Sequence, residues 1–177
     1  MNLIGPDQKA AVQRSMSELR SAKTHSESAG TNKAVVTLVE NQHSVARVRG
    51  FNLLQDEPRS VAGGMRGLTP TDFFMSSLGT CENVVFVRYA ALEDVPVEAL
   101  ETTVTGTWDR RGLYGIAGVD PHFKEITIET RVSTSAPKEK VAEVARRTHS
   151  GCPIYATLRK DTLLTFRLFV NGEQQPL

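Results

Sequence analysis

Cys81 and Cys152 are the two cysteines of this sequence, and they are the residues best suited to covalent chemistry. A thiol is a useful nucleophile only as thiolate, which needs a nearby cation or a helix N-terminus. Cys152 has the second from local sequence alone, because it stands directly before Pro153 where a short helix is expected to begin. Cys81 lies about three turns into a long expected helix, beyond the reach of the terminal dipole. To react, it needs an arginine brought by another part of the fold. Arg47, Arg49, Arg59 and Arg66 stand upstream and Arg88 stands two turns on. Glu82 directly follows Cys81, although adjacent side chains on a helix point apart. His149 stands close to Cys152, as a base, a thiolate partner or, more simply, a cation at a helix C-terminus. The cysteines have no CxxC spacing, so neither a zinc site nor any other cofactor is expected. Two inert, buried thiols are the plain alternative to a redox pair.

The stretch Thr69 to Ala91 must carry the first cysteine. Thr69, Pro70 and Asp72 read as a helix start, with a capping hydroxyl, a proline in the first turn and an acid at the third position. Phe74, Ser77, Leu78, Cys81, Val85 and Arg88 follow the spacing of one helical face. Phe73, Val84 and Phe86 extend the apolar surface around it, as in a central, buried helix. Ahead of it, residues 6–23 form an amphipathic pattern on Val12, Met16 and Leu19, and residues 24–33 are a polar linker. Two domains of unequal kind are therefore expected: a helical extension and linker over 1–33, and a main domain over 34–177. Residues 34–39 and 45–51 read as a pair of strands, with Arg47 and Arg49 sharing a parity on the second.

Residues 56–68 form a loop rich in Gly, Pro and Arg that reads as a mobile lid. Beyond the central helix, residues 100–108 and 123–132 alternate as half-buried strands joined by a long glycine-bearing connection. A helix from about 135 to Gly151, a short one from Pro153 to Leu158, a last strand over 163–170 and a polar tail complete the chain. Helices segregated from mostly antiparallel strands predict an α+β fold.

The 177 residues carry 21 Lys and Arg against 20 Asp and Glu, which gives no electrostatic case for a nucleic acid partner. No apolar run approaches the roughly 20 residues that span a bilayer, so no membrane partner is expected. The N-terminus lacks the pattern of a signal peptide, and a cytoplasmic location is the expectation.

The segments TPTDFFMSSLGTCENV (69–84) and HSGCPIYATLRKD (149–161) together resemble the two cysteine motifs of the OsmC/Ohr superfamily. The second is more like the broad OsmC-like group than Ohr proper, and the order of elements is similar from about residue 34 to 170. The resemblance implies an OsmC-like fold, an intertwined homodimer with central helices packed together, and two sites at the subunit interface. It further implies a thiol-dependent peroxidase for organic or small hydroperoxides, with a dithiol as reductant. Cys81 would be the attacking thiol and Cys152 the resolving one, joined to it in an intramolecular disulfide. Arg47 or Arg49 would hold Cys81 as thiolate. In one place the sequence departs from the pattern: peroxidases of this superfamily carry a glutamate after the first motif's proline, whereas this chain has Thr71 followed by Asp72. The alternative is a binding or redox-sensing member of the same fold without peroxidase turnover.

Overall fold

The computed structural model describes residues 1–159, 168–170 and 173–175. Its organising element is the helix α3, Pro70–Leu92, preceded by α1 (Gln8–Ser21) and the short α2 (His25–Ser28). Thr69 and Asp72 close a reciprocal capping box at its start. The Asp72 amide donates to Thr69 Oγ1 at 3.2 Å, and the Thr69 amide donates to the Asp72 carboxylate at 3.0 Å. The helix stops where Asp94 takes a positive φ of 52° and the chain turns back through Val95. Its buried face consists of Leu78, Gly79, Glu82, Val85, Phe86, Ala90 and Ala91, so the apolar stripe read from the sequence is rotated. Cys81 sits at the edge of that face and Arg88 outside it.

Three neighbours cover α3. On one side runs the antiparallel hairpin of β4 (Ala99–Trp108) and β5 (Phe123–Ser133), paired from Ala99↔Ser133 to Trp108↔Phe123. Gly79 explains how closely it approaches: a Cβ there would lie 3.2 Å from Val104 Cγ2. On another side lies α4 (Lys138–Gly151), whose Val144 and Thr148 are buried. These elements share one core, in which Phe86, Ala90, Val95, Val97 and Val144 are all under 4% exposed. Each of the buried valines and Phe86 contributes on the order of 1.5–3 kcal/mol relative to exposure. The third neighbour is α1, which leaves an apolar cleft of about 370 Å³ between Val12, Met16 and Leu19 and the α3 residues Val85, Tyr89 and Leu92.

The N-terminal strands β1 (Val35–Glu40), β2 (His43–Val48) and β3 (Phe51–Gln55) form a separate antiparallel meander. This corrects the expectation of one strand running from 45 to 51. The chain reverses at Arg49 and Gly50, both at positive φ (49° and 84°), the signature of a two-residue hairpin turn. Arg49 is thus a turn residue, and Arg47 alone lies on the strand.

The connection that follows holds to Asp56, which is 2% exposed and accepts backbone N–H groups from Glu57, Gly64 and Arg66. Burial pushes the Asp56 carboxyl up, but those three donors and His43 outweigh it and hold it below the usual carboxylate range. Far from a loose lid, the loop is folded around one carboxylate. After α4 comes α5 (Pro153–Leu158). The last strand is described only at Leu168–Val170 (β6), with 163–167 outside the described residues. The polar tail forms a strand of its own at Glu173–Gln175 (β7), antiparallel to β6. Among the described residues, no helix is long and apolar enough to cross a membrane.

Candidate active site

Helix α3 presents Cys81, and the break between α4 and α5 presents Cys152. Cys152 is the N-cap of α5, with Pro153 in its first turn, and its sulfur accepts the Tyr155 amide at 3.4 Å. Gly151 makes the break possible beside α3, since a Cβ there would meet the Tyr89 hydroxyl at 2.8 Å. The two sulfurs, remote in sequence, end 3.1 Å apart and unbonded, within easy closing distance of a disulfide.

They are not equivalent. Cys81 is half-buried, whereas Cys152 has no exposed surface. Burial pushes the Cys152 thiol up to about 12; the Tyr155 amide opposes this, while Cys81 and the Glu82 carboxylate push in the same direction as burial. The helix start expected to activate Cys152 is present, but loss of water outweighs it. The half-buried thiol on the long helix is the more accessible of the two.

Behind the thiols lies a pair that the sequence did not reveal. Glu82 is 2% exposed, and its Oε2 lies 2.9 Å from His149 Nδ1. The contact is off the line of a good N–H···O bond, and Glu82 Oε1 has no hydrogen-bond partner among the described residues. His149 is not a simple helix-end cation: it faces a buried carboxylate and packs against Tyr155, the ring centroids 5.1 Å apart and the planes tilted by 34°. As adjacent positions require, Glu82 points away from Cys81, and it is met from α4 instead. The signal was therefore tertiary, set by the packing of α3 on α4.

The arginines are placed less directly. Arg47 and Arg49 are exposed on the N-terminal sheet, and among the described residues no hydrogen bond links either to Cys81. Arg49 donates to Asn32 at 3.0 Å. Arg66 pairs with Glu40, and Arg88 lines the cleft under α1. Thr71 hydrogen-bonds Thr69, and Asp72 is exposed and engaged in the capping box. Trp108 packs on Phe123, and Tyr114 is 63% exposed.

Comparison with known proteins follows this geometry. The family model described as OsmC-like protein matches residues 62–167, a span that contains both thiols and the Glu82–His149 pair. Among solved structures, the chain is similar to an OsmC-like protein from Mycoplasma pneumoniae, with a TM-score of 0.63 and 20% identity over 73% of this chain and 88% of that one. It is also similar to an organic hydroperoxide resistance protein OsmC from Legionella pneumophila, with a TM-score of 0.56 and 16% identity over 73% and 90% of the two chains. An organic hydroperoxide resistance protein from Elizabethkingia anophelis gives 0.58 and 13% over 78% and 91%. No curated protein matches the sequence.

Proposed function

The chain belongs to the OsmC-like family, and on that premise we propose that it is a thiol-dependent peroxidase reducing organic or small hydroperoxides. One observation carries this reading: two free thiols lie 3.1 Å apart, one reachable and one fully buried beneath it. The relatives from Legionella and Elizabethkingia, named as hydroperoxide resistance proteins, support it. In the first step the Cys81 thiolate attacks the hydroperoxide, whose O–O bond breaks to give the Cys81 sulfenic acid and an alcohol. In the second, the Cys152 sulfur displaces hydroxide from that sulfenic acid, which leaves as water, and the disulfide forms. An external dithiol restores both thiols. A compartment with reducing thiols, such as the cytoplasm, suits a pair that must return to the reduced state.

Cys81 needs a cation, and the proposal takes it from a second copy of the chain. The sheet of β1 to β3 makes almost no contact with the helices of its own chain and leaves Val36, Leu38, Val39 and Phe51 more than half exposed. An apolar surface of that extent marks an interface. In a homodimer, this sheet covers the other copy's α3 and delivers Arg47 or Arg49 to its Cys81. Arg47 has no hydrogen-bond partner among the described residues, whereas Arg49 is held by Asn32, so Arg47 is the better candidate.

A second reading, a redox-sensing protein without efficient turnover, is favoured by one feature. The position of the peroxidase glutamate is Thr71, and Asp72 is taken up by the helix cap. Consumption of cumene hydroperoxide in the presence of dithiothreitol separates the two. Repeated turnover that disappears in Cys81→Ser supports the peroxidase; oxidation that halts after one equivalent supports the sensor.

A further inference from the structure

Helix α1 is laid on α3, yet it does not close the space between them. Packed helices ordinarily leave few voids larger than a water molecule. Here no residue of α1 is buried, and a cleft of about 370 Å³ separates it from α3. That lies within the range, about 300–1,000 Å³, of sites that hold small ligands. The helix is nonetheless docked. Lys9 pairs with Asp94 at 2.5 Å, and just ahead of α1 the Leu3 amide donates to the Val97 carbonyl at 2.6 Å. The lining runs along α1 from Gln8 to Leu19, about 16 Å at 1.5 Å per residue, a length that suits an elongated ligand.

The charge of the cleft is one-sided. Arg88 lines it and is exposed, with no hydrogen bond or ion pair among the described residues, and no acid lines the cleft beside it. The acids of the neighbourhood are engaged elsewhere: Glu93 by Arg147, Asp94 by Lys9 and Glu82 by His149. Past Met16 and Leu92 the cleft opens into a groove that adds Arg20 and Arg147, with Glu93 as its one acid. An apolar trough with a free guanidinium is complementary to a hydrocarbon body that carries one anionic group. A carboxylate matches the guanidinium fork with two parallel hydrogen bonds.

We propose that this cleft is a binding site for an apolar monocarboxylate. The hydrocarbon body lies along Val12, Met16 and Leu19 of α1 and Val85 and Leu92 of α3, and the carboxylate pairs with Arg88. Neither thiol lines the cleft, so the site stands apart from the peroxidase reading and does not depend on it. Nor is it part of what the family model matches, because α1 precedes residues 62–167. The ligand gives α1 apolar contacts that α3 alone does not supply. Binding therefore holds the helix in place and shields Arg14 and Arg20 from proteolysis.

The probe is octanoate, titrated into the full chain by calorimetry, with octanol and octylamine as neutral and cationic analogues. Octanoate is expected to bind once per chain, and each analogue about tenfold more weakly or worse. Arg88→Gln is expected to bring octanoate down to the affinity of octanol while leaving octanol unchanged, which also shows that the cleft is intact. Arg88→Lys should recover part of the loss. In the parent, saturating octanoate should slow tryptic cleavage after Arg14 and Arg20 several-fold. No binding of octanoate up to millimolar concentration overturns the proposal, as does equal affinity for octanoate and octanol. An Arg88→Gln protein that binds octanoate like the parent overturns it too. Unchanged tryptic cleavage would place the ligand elsewhere and overturn the site without any variant. Affinity that falls as chain concentration rises would mean that a second copy takes the cleft, and would equally overturn it.

Discussion

The Cys152 thiol holds its proton up to about 12 because it is removed from water, with Cys81 and Glu82 adding to the effect. An unfolded chain loses that proton near the ordinary 9.0. The folded state is thus favoured by this group in full below about pH 9, and the contribution is lost as pH rises from 9 towards 12. In the Cys81→Ser protein, iodoacetamide should leave Cys152 essentially unmodified at pH 8 and label it increasingly towards pH 12. Labelling at pH 8 as fast as a free thiol would contradict its burial. At this scale the sequence was half legible. Cys152 before Pro153 announced a helix start, and the start is there. What it could not announce was the missing solvent, which reverses the sense of the perturbation. The pairing of Glu82 with His149 was equally hidden, since those residues meet only once α3 lies on α4.

The elements bring the thiols together by close approach of backbone. α3 rests on β4 at Gly79, where a Cβ would lie a tight 3.2 Å from Val104 Cγ2. Gly79→Val would force the helix and strand apart, an overpacking that costs about 1–3 kcal/mol. It should lower the thermal midpoint by several degrees and slow disulfide closure between Cys81 and Cys152, both measurable on one preparation by calorimetry and thiol titration. An unchanged midpoint would mean that the helix has slack there. Elements with a local signature were the legible ones. Thr69-Pro70 with Asp72 gave the start of α3, and the alternation of Leu100, Thr102 and Val104 gave β4. The hairpin at Arg49 and Gly50 was missed because arginine is an unusual residue at positive φ, and the run from Val45 looked continuous without it. The loop from Glu57 to Leu68 looked loose because its order comes from one carboxylate, Asp56, gathering amides eight and ten residues away.

For the molecule as a whole, the N-terminal sheet is the feature that a single chain does not explain. Leu38 is 64% and Phe51 72% exposed in strands otherwise well formed. Two substitutions there, Leu38→Lys and Phe51→Glu, would cost an isolated monomer little, since surface changes are usually within about 0.5 kcal/mol. If the sheet is the dimer surface, light scattering should show the parent at twice the chain mass and the double variant at the single mass, with hydroperoxide turnover lost because Arg47 no longer reaches Cys81. A monomeric parent would remove the proposed source of the cation. The α+β order and the family were legible because both cysteine motifs lie in the span that the family model matches. The apolar exposure of the N-terminal sheet was not, because the alternation of β1 shows that a strand exists but not what lies against it.

The most direct measurement is a thiol titration before and after one equivalent of cumene hydroperoxide, on the parent, Cys81→Ser and Cys152→Ser, with sulfenic acid trapped by dimedone. The expected result is rapid loss of both thiols in the parent, a sulfenic acid trapped in Cys152→Ser, and none in Cys81→Ser. Thiols that persist for minutes in the parent, or a sulfenic acid trapped only in Cys81→Ser, would contradict the peroxidase assignment of this pair.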